Sequence, residues 1–113
     1  MNAVRILLGG LIFFAAAAEA AAADPHHGEA LFAYRCAPCH AAGPGHPGTM
    51  GLERRYDAHD AVLAQRGEVP AAYVEVVVRH GLRLMPPFRP SELDDRDLAD
   101  IAAYLARPKS AIH

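Results

Sequence analysis

Cys36-Ala37-Pro38-Cys39-His40 constrains this chain more than any other stretch. Cysteines at i and i+3 lie on one face of a helical turn, so both thiols can reach the two vinyl groups of one porphyrin. The histidine after the second cysteine then lies under the ring, with an imidazole nitrogen free for iron. C-x-x-C-H is the attachment pattern of a c-type haem. Other uses of the pair fit less well. A structural zinc site needs further thiol or imidazole ligands at close spacing, and the chain has only two cysteines. A thioredoxin-like redox pair needs a βαβ frame, and the sequence offers none.

The chain has 113 residues, enough for one small domain. Its start reads as a targeting segment. Arg5 gives a short positive region, an apolar run follows from Ile6 to Ala18, and alanines come after it. The run is too short to span a bilayer, and the layout is that of a secretory signal peptide. An uncleaved anchor is the alternative. Small residues at −1 and −3 allow cleavage after Ala20 or after Ala23, and Ala23 is preferred. The expected organisation is a cleaved signal peptide over 1–23 and one domain over 24–113, with no membrane span in the mature chain. Export would place the cysteines in an oxidising compartment, the periplasm. A disulfide three residues apart closes almost no loop and makes a poor staple, so haem attachment is their better use. A domain of 90 residues is close to the lower limit for a self-sufficient core, and a buried porphyrin can supply much of one.

Charge excludes more than it suggests. Without Arg5 and Glu19 the chain keeps 10 basic and 12 acidic residues. No polybasic run points to nucleic acid or to a membrane surface.

Residues 28–35 read as a short helix leading into the motif, with Leu31 and Phe32 on its apolar face. His26 and His27 read as solvent-exposed and without function. Residues 41–49 hold Gly43, Pro44, Gly45, Pro47 and Gly48, and read as an irregular loop. A carbonyl of that loop, Pro47 before Pro44, is expected to accept from the second nitrogen of His40. His46 reads as a solvated loop residue. Ala61, Val62 and Leu63 allow one short helix, which Gly67 breaks. Residues 70–80 read as a helix with Pro70 in its first turn, Gly81 past its end, and Val74, Val77 and Val78 on one face.

Met85 stands before Pro86 and Pro87. A residue before proline is pushed out of helical geometry, so Met85 stands extended, and its thioether can serve as the sixth iron ligand. The commoner role of methionine is core filler, but position favours ligation. Met85 lies 45 residues after His40, far enough for the chain to reach the opposite face of the ring. Met50 lies only 10 residues after it, and His80 sits at a helix end. The last helix is the cleanest. Asp94 is its N-cap with Asp97 at N3, and Leu93 with Leu98 makes a hydrophobic staple. Leu98, Ile101, Ala102 and Leu105 form one stripe, and Pro108 stops the helix. Asp94, Asp95, Asp97 and Asp100 read as helix capping rather than a metal site.

The motif, the loop methionine and the final helix, in that order, resemble a class I cytochrome c. The resemblance implies an all-α fold, about four helices wrapped around one covalently bound haem c. It implies cofactor binding by Cys36, Cys39, His40 and Met85, with His40 and Met85 on the iron. First and last helices should cross, with Gly28 and Phe32 against Leu98, Ile101 and Tyr104. The stretches Tyr73-Val74, Val78 to Gly81, Met85-Pro86-Pro87-Phe88, Leu93-Asp94-Asp95 and Ala103-Tyr104-Leu105 are similar to the small cytochrome subunits of p-cresol methylhydroxylase-type flavocytochromes. That likeness implies an electron carrier rather than an enzyme, reduced by a flavoprotein dehydrogenase subunit that oxidises 4-alkylphenols, and passing electrons to a downstream cytochrome or oxidase. With both axial positions filled, no open iron site remains. A freely diffusing carrier feeding an oxidase is the alternative, and an open-site haem enzyme or gas binder is a further one.

Overall fold

The computed structural model describes residues 21–112, so the signal segment read over 1–23 lies outside the described residues except for Ala21–Ala23. Among the described residues the regular structure is helical, six α-helices and one short 3₁₀ turn. They are α1 (Pro25–Arg35), α2 (Ala37–His40), α3 (Pro47–Leu52), α4 (Leu63–Arg66), α5 (Ala71–His80) and α6 (Asp95–Leu105). The 3₁₀ turn is Lys109–Ala111. The all-α expectation holds, and the count exceeds about four because α2 and α4 are single turns of four residues each.

Proline explains two boundaries. α1 begins at Pro25, three residues before the expected start, because Asp24 caps it through bonds from the His26 and His27 amides, at 2.9 and 3.3 Å. A proline at the first helical position gives up only an amide that would be unpaired anyway. For the same reason the expected loop over 41–49 ends early: Pro47 opens α3, and only residues 41–46 stay irregular. Gly67 and Gly81, both at positive φ, end α4 and α5.

The core is the crossing of α1 with α6, joined by α5 along α6. Phe32, Val74, Val78, Leu93, Leu98, Ile101, Ala102, Tyr104 and Leu105 are all buried in one cluster. The Phe32 and Tyr104 rings lie 5.5 Å apart between centroids, tilted by 48°, a favourable aromatic pairing. Gly28 is the contact point of the crossing. A Cβ there would overlap the Asp100 carbonyl and crowd the Ile101 nitrogen, so only glycine lets the two backbones approach so closely. The capping expectation also holds: Asp94 accepts from the Asp97 amide at 2.8 Å, and both members of the Leu93–Leu98 staple are buried.

Asp100 departs from its expected role. It lies inside α6, not at its cap, and is only 2% exposed. One oxygen accepts from the Asp24 backbone nitrogen at 2.7 Å, and the other pairs with His27 Nδ1 at 2.8 Å. His27 is exposed, as expected, and it also ties α1 to α6. The bond to Asp100 raises the His27 pKa, and the same bond, with that from Asp24, lowers the Asp100 pKa.

Candidate haem site

The motif forms a helical turn, as its spacing requires. The amides of Cys39 and His40 both point to the Cys36 carbonyl, at 3.1 and 2.9 Å. Both thiols are free, Cys36 half-buried and Cys39 exposed. Burial, helped by Cys39, pushes the Cys36 thiol up to about 11. Burial thus favours the thiol over the thiolate at Cys36. Net addition of a thiol S–H across a vinyl C=C would give a thioether with no leaving group.

The imidazole of His40 is held from behind. Gly48, in the first turn of α3, sits so close that a Cβ would lie 2.7 Å from both His40 Nδ1 and the Cys39 carbonyl oxygen. The fully buried Thr49 donates from Oγ1 to the Ala41 carbonyl at 2.8 Å and closes the loop beneath. His46 is not simply solvated: its Nδ1 lies 2.9 Å from the Pro38 carbonyl, tying the loop to α2. The expected carbonyl acceptor for His40 Nδ1 is not found. That nitrogen is buried and has no hydrogen-bond partner. Pro47 begins a helix, and its carbonyl is aligned with the helix axis instead. Burial lowers the His40 pKa, which favours the neutral, metal-binding form of the ring.

Met85 stands in a tight turn after α5. Its amide bonds the Leu82 carbonyl at 3.0 Å, and the Leu82 amide bonds the Met85 carbonyl at 3.1 Å. Arg83 within the turn has a φ of 55°, uncommon for a residue with a side chain. The turn is pinned to both neighbouring helices. The Phe88 amide bonds the Val78 carbonyl at 2.8 Å. Arg79 donates to the Phe88 and Leu93 carbonyls at 3.1 and 2.9 Å and pairs with Asp95 at 2.6 Å. Met85 is half-buried against the core, as are Cys36 and Ala37. Met50, on α3, is 53% exposed, and His80 is exposed. The motif is carried by α1 and α3, and the methionine turn by α5 and α6. The α1–α6 crossing links the two arms.

Residues 23–105 match the family described as "Cytochrome C oxidase, cbb3-type, subunit III". Cytochrome c6 from Synechocystis sp. is 33% identical over 100 residues, 88% of this chain and 77% of the relative. The chain belongs to the class I c-type cytochromes. Cytochrome c6 from Cyanidioschyzon merolae is 38% identical over 85 residues, 74% of each chain. The cytochrome c subunit of 4-cresol dehydrogenase (hydroxylating) from Pseudomonas putida is 47% identical over 45 residues, 40% of this chain and 39% of the relative.

Such a cytochrome carries a covalently bound haem c with its iron, and it transfers electrons without being an enzyme. The residues present fit that group. Two free thiols lie on one turn, beside an imidazole whose neutral form burial favours. Met85 offers a half-buried thioether, and large apolar side chains stand exposed beside these groups, Met50 near His40 in sequence and Leu82 and Leu84 in the methionine turn. The attachment motif was legible from the sequence as a helical turn with two free thiols. Thr49, Gly48 and Arg79 as positioning residues were not. Among these only Gly48 carried a signal, its place beside Pro47 soon after the motif.

Proposed function

We propose that this cytochrome is an exported, periplasmic one-electron carrier whose haem is tethered by Cys36 and Cys39 and ligated by His40 and Met85. In this reading a flavoprotein dehydrogenase of the 4-alkylphenol-oxidising type reduces it, and a downstream cytochrome or oxidase takes the electron. Bound there, the haem supplies the Fe(II)/Fe(III) couple, and imidazole with thioether ligation raises its potential. The chain supplies the rest. Gly48 and Thr49 hold the plane of the His40 ring, and Arg79 fixes the base of the methionine turn. With His40 and Met85 held in place by the chain, reorganisation on electron transfer would be small.

The observation that carries the reading is the pinned Met85 turn with its rim. Leu84 is fully exposed at its tip, Leu82 is half-exposed, and the exposed Arg83 makes no ion pair among the described residues. An apolar centre with a cationic edge suits a modest electron-transfer interface. Arg79, four residues before Arg83, is bonded to its own chain and is not part of that rim. The local likeness to the 4-cresol dehydrogenase cytochrome subunit supports a flavoprotein donor. The longer match to the cytochromes c6 favours a second reading, a freely diffusing carrier. Stopped-flow reduction by a 4-alkylphenol-oxidising flavoprotein tests the choice. A dedicated donor predicts fast reduction that Arg83→Glu slows at low salt, an effect that shrinks as salt screens it. Slow reduction, equal in both proteins at all salt concentrations, would favour the diffusing carrier.

A further inference from the structure

The carboxylate of Asp100 sits in the middle of α6, at the crossing with α1, and is almost wholly covered in the unprocessed chain, where Ala21–Ala23 line the space beside it. A carboxylate so placed is costly unless charged partners compensate it. Both oxygens have a hydrogen-bond partner, but few of the surrounding groups carry a positive charge. From α1 comes His27, half-exposed, which is positive only when protonated. From α6 come Arg96, which adds a weak favourable field, and Asp97, whose oxygen lies 4.0 Å from His27 Nδ1 and competes for it. The Asp24 carboxylate is engaged in capping α1. The remaining donor is the Asp24 backbone nitrogen, 2.7 Å from Oδ1. As a peptide amide it is neutral. As the first residue of a chain it would be an ammonium.

The sequence places alanine at both positions that a processing endopeptidase reads before Asp24, Ala21 and Ala23. We propose that Ala23–Asp24 is the maturation junction and that the ammonium released on Asp24 is seated on the carboxylate of Asp100, 2.7 Å from its nitrogen. This rests on the export reading above and deepens it. The step is a hydrolysis: one water is consumed, the Ala23–Asp24 peptide bond breaks, Ala23 leaves as a carboxylate, and Asp24 keeps its nitrogen as an ammonium. The amide bond at 2.7 Å then becomes a charge-assisted one. Above the imidazole range, where His27 turns neutral, that ammonium is the positive charge in contact with Asp100. Processing therefore strengthens the α1–α6 crossing, one residue before α1 begins. Cleavage after Ala20 would do nothing of the kind, because the new charge would lie three residues away.

Intact mass and N-terminal sequencing of the exported holoprotein test the junction. A chain starting at Asp24 is expected, and any other start overturns the processing reading and the proposal with it. The seat is tested separately at pH 7.5 with two holoproteins, one starting at Asp24 and one made with a leader that leaves Ala21–Ala23 attached. The first should melt about 4 °C or more above the second, and Asp100→Asn should remove the difference. Equal melting temperatures would overturn the seat while leaving the junction in place. Because Asp100→Asn can also impair folding, the wild-type α-ammonium is titrated by NMR. It should titrate above its ordinary value of about 8, and a value at or below 8 would contradict the seat.

Discussion

Asp100 and His40 are both polar side chains set into the fold, and their surroundings differ in kind. Around Asp100 the chain completes itself: each carboxylate oxygen has a partner, Gly28 brings the backbones together, and Ile101, Leu98 and Phe32 fill the space. Around His40 the chain stops short. The ring is held from behind by Gly48, yet its buried nitrogen has no partner and the neighbouring thiols are free. The α1–α6 crossing is a frame built from the protein's own contacts. The motif is a fitting whose completion is the haem, and in the proposed reading the Met85 turn is another. Small domains commonly need such an added core, and here the need is confined to one side.

If the haem completes that side, its tether should matter most. Cys36→Ser or Cys39→Ser should reduce holoprotein yield to a small fraction of wild type. Acid-acetone extraction should leave haem with the wild-type pellet and release it from a double variant. Haem that extracts from wild type would remove the distinction between frame and fittings.

The frame should respond to ordinary packing changes. Ile101→Ala, at a residue only 1% exposed, should cost about 2–5 kcal/mol, read by denaturant unfolding of the holoprotein. Gly48→Ala should cost about 1–3 kcal/mol through overpacking against His40 and Cys39, and it should perturb the haem spectrum, which Ile101→Ala should leave largely unchanged. Both variants altering the spectrum equally would blur the two regions into one.

Sequence alone disclosed these regions unevenly. The α6 stripe, its Asp94 cap and its leucine staple were legible because each is a local pattern with a fixed spacing. The crossing partners Gly28 and Phe32 came from family likeness, and the geometry agrees. What escaped were contacts between distant residues. Nothing local marks Asp100 as the partner of Asp24 and His27, since another aspartate in an acidic helix start looks like capping. Thr49 looks like any loop threonine until it meets Ala41. The loop over 41–49 was misread because a proline next to glycines suggests irregular chain, whereas Pro47 is at the one helical position that suits it.

The smallest effect expected is on pH dependence, and it belongs to the frame. His27 has a pKa raised above its usual 6.5, so the stability it adds is full below that value and fades as pH rises through the raised one. Asp100 has a pKa lowered below its usual 3.8, so its share is full above that value and fades as pH falls through the lowered one. The His27–Asp100 tie should therefore contribute most between about pH 4 and 6.5. His27→Gln should flatten the stability profile across the neutral range, read as melting temperature against pH, with no change in the haem spectrum. A profile unchanged by the substitution would show that the tie adds nothing to the frame.

Carbon monoxide binding to the ferrous protein tests the iron ligation most directly, compared across wild type, Met85→Ala and Met50→Ala. With Met85 on the iron, wild type and Met50→Ala should bind little, and Met85→Ala should bind readily, at a lowered redox potential. Ready binding by wild type, or by Met50→Ala but not Met85→Ala, would contradict the account.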